Sequence, residues 1–179
     1  KFIGRKTLMK NNAQLINADS GNFEYYTPHD IVDRARLAMG SIDLDPFSSE
    51  AANNNVKASK FYTKEDNGFE KSWYGNIWVN HPFSRENNPK IFDKAIREYE
   101  LGNADQICLI TYASTSEGWF RKSLDFPQCY LYKRTNYLLP DGTVKKGVTK
   151  GSVVTYIGNN EEEFYKHFKD IGKVKVAYG

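Results

Sequence analysis

Apolar residues recur along this chain in two rhythms. Between Thr27-Pro28 and Gly40 they fall at Ile31, Val32, Ala35, Leu37, Ala38 and Met39, close to the 3.6-residue period of a helix with one buried face. Pro28 suits a first helical turn, where its missing N–H costs nothing, and Gly40 suits a stop. The same rhythm returns after Pro89 at Ile91, Phe92, Ala95, Ile96 and Tyr99 and ends on Gly102, which predicts a second amphipathic helix. EGWFRKSLDF (117–126) and EEEFYKHFKDIG (161–172) predict two more, the last with acidic residues where a helix dipole favours them.

The other rhythm is the short, nearly continuous apolar run of a strand. SIDLDPFSS sets Ile42 and Leu44 against Asp43 and Asp45 until Pro46 breaks it, and NIWVN (76–80), QICLITYA (106–113), SVVTYIG (152–158) and KVKVAY (173–178) read as further strands. CYLYKRTNYLL (129–139) and TVKKG (143–147) read as two strands around the turn Pro140-Asp141-Gly142. Residues 51–73 are polar and read as a loop holding at most a helical turn; a loop of that length in a compact domain is usually functional. Residues 1–22 read as a polar arm ahead of one domain over 23–179, and no internal repeat stands out.

Helices alternating with such strands predict a single α/β domain, a mostly parallel sheet with helices on both faces. Sheets of this kind bind ligands beyond the C-terminal ends of their strands. Three polar motifs fall at such ends: residues 43–47, 80–83 and 111–116.

Composition narrows the classes. A chain of 179 residues with 40% hydrophobic and 26% charged side chains has the make-up of a globular domain with its own core. No run approaches the ~18 apolar residues of a membrane span, and the first residues lack the apolar core of a signal peptide. Cys108 and Cys129 sit in apolar runs without partners at metal-ligand spacing, which fits buried thiols in a reducing, cytoplasmic setting. His29, His81 and His167 stand in unrelated contexts, so no zinc signature appears and no metal is expected. There is no Gly-Lys-Ser/Thr phosphate loop. The net charge of +3 is mild, but Lys1, Arg5, Lys6 and Lys10 crowd the start, and Lys133, Arg134, Lys145, Lys146 and Lys150 crowd a later stretch. Such patches serve either as a solvated face or as a track for a phosphate backbone.

The ordered motifs FEYYTP, IDLDPFSSEAANNNVKASKFYTKEDNGF, NIWVNHPFS, RTNYLLPDG and GSVVTYIG, over residues 23–158, resemble those of phage-type DNA N6-adenine methyltransferases. The resemblance implies a Rossmann-like methyltransferase fold, S-adenosylmethionine as cofactor, double-stranded DNA as partner and, for a phage-borne gene, a bacterial cytoplasm. Within it, Asn80-His81-Pro82-Phe83 resembles the Asn-Pro-Pro-Tyr/Phe catalytic motif. The Asn80 side-chain oxygen and the His81 carbonyl would hold the N6 hydrogens, Pro82 would stiffen the turn, and Phe83 would stack on the flipped base. His81 departs from the family's proline; it still supplies a carbonyl, with less backbone rigidity. Two other readings remain open: a methyltransferase-like DNA-binding module without turnover, and methylation of cytosine N4.

The same resemblance implies the binding residues. Asp45 would pair with the methionine ammonium, with Asp43, Tyr26 and Phe47 beside it, although SSEAANNN has none of the glycines usual in such a loop. Thr27 would meet the cofactor carboxylate or else cap a helix, and Asp66 would meet the adenosine or else belong to a turn at Asn67-Gly68. Arg85, Arg134, Lys145, Lys146 and Lys150 are expected on DNA phosphates, the last four as a basic finger. Reading a sequence with so small a domain calls for few contacts or for a second copy as a homodimer.

Overall fold

The computed structural model describes residues 25–177. The polar arm and its basic cluster lie outside them. Ile31, Val32, Ala35, Ala38 and Met39 form the buried stripe of helix α1 (His29–Met39), which stops at Gly40. The chain continues as β1 (Leu44–Asp45), α2 (Glu50–Val56), β2 (Lys60–Phe61), β3 (Gly75–Val79), α3 (Asn88–Glu100) and β4 (Ala104–Tyr112). A 3-10 helix (Gly118–Asp125), β5 (Gln128–Leu131), β6 (Ser152–Ile157), α4 (Glu161–Phe168) and β7 (Gly172–Lys175) complete it.

The strands form one seven-stranded sheet in the order β2-β1-β3-β4-β6-β5-β7. Pairing is parallel from β2 through β4 and antiparallel from β4 through β7. The expectation of a mostly parallel sheet therefore describes one end of it. The long excursion over residues 132–151 that returns β6 beside β5, and the return from α4 to β7, make antiparallel neighbours, which hydrophobic runs alone do not reveal.

Alternation along the strands feeds two cores. Trp78, Cys108, Ile110, Val154 and Tyr156 face α1 and α4, where Phe164 stacks on Tyr156 at 5.1 Å between ring centroids. Ile77, Val79, Ile107, Leu109 and Ile157 face α3 and the 3-10 helix, with Ile91, Phe92 and Ala95. Both faces of the sheet are covered, as expected for strands apolar on every position. Cys108 and Cys129 are free and buried, and burial pushes the Cys129 thiol up to about 12. Among the described residues no helix is long and apolar enough to cross a membrane.

Two segments differ from the sequence reading. The polar stretch after Pro46 holds a helix, α2, because Ser49 caps it by accepting from the Ala52 N–H (3.1 Å). It also holds the edge strand β2, too short to show a period. Beyond Leu131 the expected long strand ends; residues 137–145 form a hairpin held by the bridge Leu138–Val144, and Leu138 also bridges Tyr26.

Candidate active site

β1, β3 and β4 lie side by side and point the same way, so Asp45, Asn80 and Tyr112 end on one edge. The chain runs from β1 outward to β2 and then returns to the other side of β1 as β3. The edge between β1 and β3 is thus where the winding reverses, the place where such sheets form a crevice.

Asn80 follows the last strand residue, Val79, and its Nδ2 donates to the Tyr25 carbonyl at 2.8 Å. That bond fixes the amide's orientation, because turning it over would set two oxygens against each other. Among the described residues, neither Asn80 Oδ1 nor the His81 carbonyl accepts a hydrogen bond.

His81 is buried, and its Nε2 lies 2.9 Å from Asn88 Oδ1 at the start of α3, while Nδ1 has no partner among the described residues. Burial pushes the imidazole down to about 4, against the raising effect of Asn88, which favours the neutral ring near pH 7. Phe83 stands edge-on to His81 (5.0 Å), tilted against Tyr112 (4.8 Å) and edge-on to Tyr137 (6.2 Å). Pro82 is exposed and its carbonyl accepts from Asn87 Nδ2 (3.1 Å).

Asp45 is 2% exposed. Burial pushes its carboxyl up to about 7, although the Phe47 N–H and the Ser48 side chain bond to it. No cation pairs with it among the described residues. Phe47 packs against Phe69 (4.7 Å), Trp73 (6.0 Å) and His81 (6.4 Å), joining the β1 end to the β3 end. On the other side, Asn55 Nδ2 donates to the Thr27 carbonyl (2.6 Å), while Thr27 Oγ1 and Asn55 Oδ1 are buried without partners among the described residues. Thr27 caps no helix through its side chain; the residue before α1 is Pro28. A cavity of about 200 Å³ lies next to this pair, lined by Tyr26, His29, Asn54, Asn55, Leu138 and Pro140 among others.

Two of the candidates stand apart from this group. The Asp43 carboxylate is taken up at the start of β3, accepting from Asn76 N (2.8 Å) and Ser41 Oγ (3.0 Å). Gly75, with φ +68°, lets it approach so closely that a Cβ there would lie 2.5 Å from Oδ2. Asp66 is exposed and closes a local turn, accepting from Thr63 N (2.8 Å) and Oγ1 (3.0 Å), and Asn67 follows with φ +57°.

Of the basic candidates, Arg85, Arg134, Lys146 and Lys150 are exposed. Lys150 sits 5.6 Å over the Tyr112 ring, and Arg134 reaches the Val148 carbonyl (3.4 Å). Lys145 is half-buried with its ammonium 3.8 Å from the Tyr25 ring centroid and bonded to the Tyr25 hydroxyl. A second cavity, about 260 Å³, opens where β4 ends, between Ala113, Ser114, Glu117 and Lys150. No group of His, Cys, Asp or Glu among the described residues could hold a metal.

Sequence reasoning passed over Tyr25, Tyr137 and Asn88. Tyr25 acts through a main-chain oxygen, which no side-chain pattern announces. Tyr137 and Asn88 are brought in by folding from outside the strand-end motifs.

The family model described as DNA N-6-adenine-methyltransferase (Dam) matches residues 17–156, most of the chain. No curated protein matches it. The chain belongs to the DNA N-6-adenine-methyltransferase (Dam) family.

Proposed function

We propose that the protein transfers a methyl group from S-adenosylmethionine to the N6 amine of adenine in DNA, on a Rossmann-like methyltransferase sheet. One observation carries the reading. Asn80 Oδ1 and the His81 carbonyl, on consecutive residues at the sheet edge, accept no donor from the described residues, while the rest of the Asn80 amide is locked to Tyr25.

Two fixed acceptors are what this chemistry needs. The N6 lone pair is delocalised into the purine ring, so the amine is a poor nucleophile until acceptors take its two hydrogens and favour a tetrahedral nitrogen. Preorganised oxygens do so without reorganising during the reaction. His81 is not the base that takes the surplus proton, since its Nε2 is bonded to Asn88 and its ring resists protonation; that proton leaves to water.

The residues present fit the cofactor. Asp45 is a buried carboxylate whose charge no cation among the described residues offsets, and Thr27 carries a buried hydroxyl without a partner among them. Together they suit a ligand bearing an ammonium and a carboxylate, the amino-acid end of S-adenosylmethionine. Bound there, the cofactor would supply a methyl on a cationic sulfur, an electrophile that needs no metal or covalent nucleophile. Asp45 and Thr27 would hold that end, with Phe47 next to Asp45 at the end of β1.

A target adenine inside a duplex must be flipped out at a cost of a few kcal/mol. Stacking on Phe83, within its wall of Tyr112 and Tyr137, returns about 1–3 kcal/mol. Exposed Arg85, Arg134, Lys146 and Lys150 serve the phosphates; Lys145, laid on Tyr25, supports the strap beside Asn80 instead. A second copy of the chain would lengthen the stretch of DNA read.

The test is to incubate the protein with DNA and methyl-labelled cofactor, then identify the methylated base by mass spectrometry after digestion. N6-methyladenine is the expected product. Label on cytosine N4 would move the reading to that amine, and tight DNA binding with no label would leave a binding module.

A further inference from the structure

We propose that the hydrogen bond between His81 Nε2 and Asn88 Oδ1 pins the catalytic turn, making Asn88 a positioning residue for the His81 carbonyl and the Phe83 ring. The inference rests on the function proposed above and adds a residue that the catalytic motif does not contain.

An acceptor that works by preorganisation has to be held to a fraction of an ångström. A proline at position 81 would do this through its ring, which fixes φ. Histidine has no such constraint, and its own N–H donates to none of the described residues, so the strand ladder does not hold it either. What holds it is the side chain. His81 as a whole is 2% exposed, its Nε2 lies 2.9 Å from Asn88 Oδ1, and its ring stands edge-on to Phe83 at 5.0 Å and to Phe47 at 6.4 Å.

Asn88 is itself well fixed. It opens α3, and its N–H donates to the Ser84 carbonyl at 3.0 Å. Its neighbour Asn87 donates through N to Ser84 Oγ (2.9 Å) and through Nδ2 to the Pro82 carbonyl (3.1 Å). These bonds close the loop from Pro82 to Asn88 upon the helix. Among the described residues, the His81–Asn88 bond alone extends that closure to the residue whose carbonyl is the proposed acceptor. Asn88 Oδ1 can only accept, so Nε2 carries the proton and Nδ1 is left as a bare, buried nitrogen without a partner among the described residues. A fold that tolerates an unanswered buried nitrogen at this position is retaining the bond on the other side of the ring.

The experiment compares Asn88→Ala, which deletes the acceptor, with Asn88→Asp, which keeps it. The readouts are kcat, the KM for DNA and for S-adenosylmethionine, and amide hydrogen exchange over residues 83–88. Asn88→Ala should lower kcat about 10- to 100-fold, with either KM changed less than about 3-fold, and should speed exchange across the turn. Asn88→Asp should stay within about 3-fold of the parent. In a His81→Pro background, where the ring constraint replaces the pin, Asn88→Ala should have less than about a 3-fold effect on kcat and on exchange. Unchanged kcat in Asn88→Ala, equal losses in both Asn88 variants, or an undiminished loss in the His81→Pro background would each overturn the proposal. Were the parent to transfer no methyl at all, the function reading would fall, and exchange alone would decide the pin: rates unchanged by Asn88→Ala would sink it.

Discussion

Burial acts on Asp45 and His81 in opposite senses. The Asp45 carboxyl is raised to about 7, so the fold favours its protonated form. The stability this contributes is fully present below the ordinary carboxylate value of 3.8 and is lost as pH rises through about 7. His81 is lowered from 6.5 to about 4, so its contribution is present above 6.5 and lost as pH falls toward 4. Between those limits the two slopes offset each other. Asp45→Asn should therefore raise the melting temperature at pH 8 and leave it nearly unchanged at pH 4. The gain at pH 8 is a few kcal/mol at most, because each tenfold change in proton affinity is worth about 1.4 kcal/mol. The same substitution should weaken S-adenosylmethionine binding at least about 10-fold by calorimetry, since the ammonium loses its counter-ion. Parent affinity should decline as pH falls below about 7, whereas the Asn variant should show no such decline; a parent profile flat between pH 6 and 8 would remove Asp45 from the cofactor site.

Asn80 and Asp45 could be read in the sequence because each stands where an apolar run stops, and a polar residue there has few structural reasons to exist. Asp43 carried the same signal by alternation, yet one strand position decides its fate: it lies at the entry of β1, where Asn76 N and Ser41 Oγ consume both oxygens. Which end of a two-residue strand leaves its carboxylate without a cross-strand partner depends on its neighbour's register, and that is a tertiary fact.

The loop between β2 and β3 shows how an element without regular structure can hold a site. Trp73 is buried, its indole N–H donates to the Gly68 carbonyl (2.8 Å), and its backbone N–H meets Glu98 Oε2 on α3 (3.3 Å). Gly68 is thereby pressed under Pro46, where a Cβ would come to 1.9 Å from the Pro46 carbonyl oxygen. Gly68→Ala must push the Pro46-Phe47 corner, and with it Asp45. It should cost about 1–3 kcal/mol in denaturant unfolding and weaken cofactor binding. Gly118→Ala, at an open position where nothing lies within 4 Å, should cost less than about 0.5 kcal/mol. Equal costs would show that the corner is not tightly held. Helices α1 and α3 were legible because their apolar stripes run for three turns. Strand β2 was not, since Lys60–Phe61 is too short for a period, and the 137–145 hairpin kept its turn chemistry while its strands shrank to bridges.

Across the molecule, three features converge on one edge: the strap at Tyr25–Thr27, the aromatic wall of Phe83, Tyr112 and Tyr137, and exposed cations beside them. Strand direction brings them together, and no local pattern encodes it; the composition hinted at the cations and left open what they face. If Lys146 and Lys150 lie on phosphates, replacing both with Gln should flatten the plot of log affinity against log salt by about 2, near one per contact. Transfer within a preformed complex should be unaffected. An unchanged slope would take these lysines off the DNA.

The central claim is that Asn80 Oδ1 grips the exocyclic nitrogen, and the single-turnover rate of methyl transfer by Asn80→Ala tests it most directly, with cofactor and DNA both saturating. The account predicts a rate about 100- to 1,000-fold below the parent, with S-adenosylmethionine affinity within about 3-fold, because the lost contact matters only as the nitrogen becomes tetrahedral. A variant that transfers methyl within a few-fold of the parent rate would contradict it.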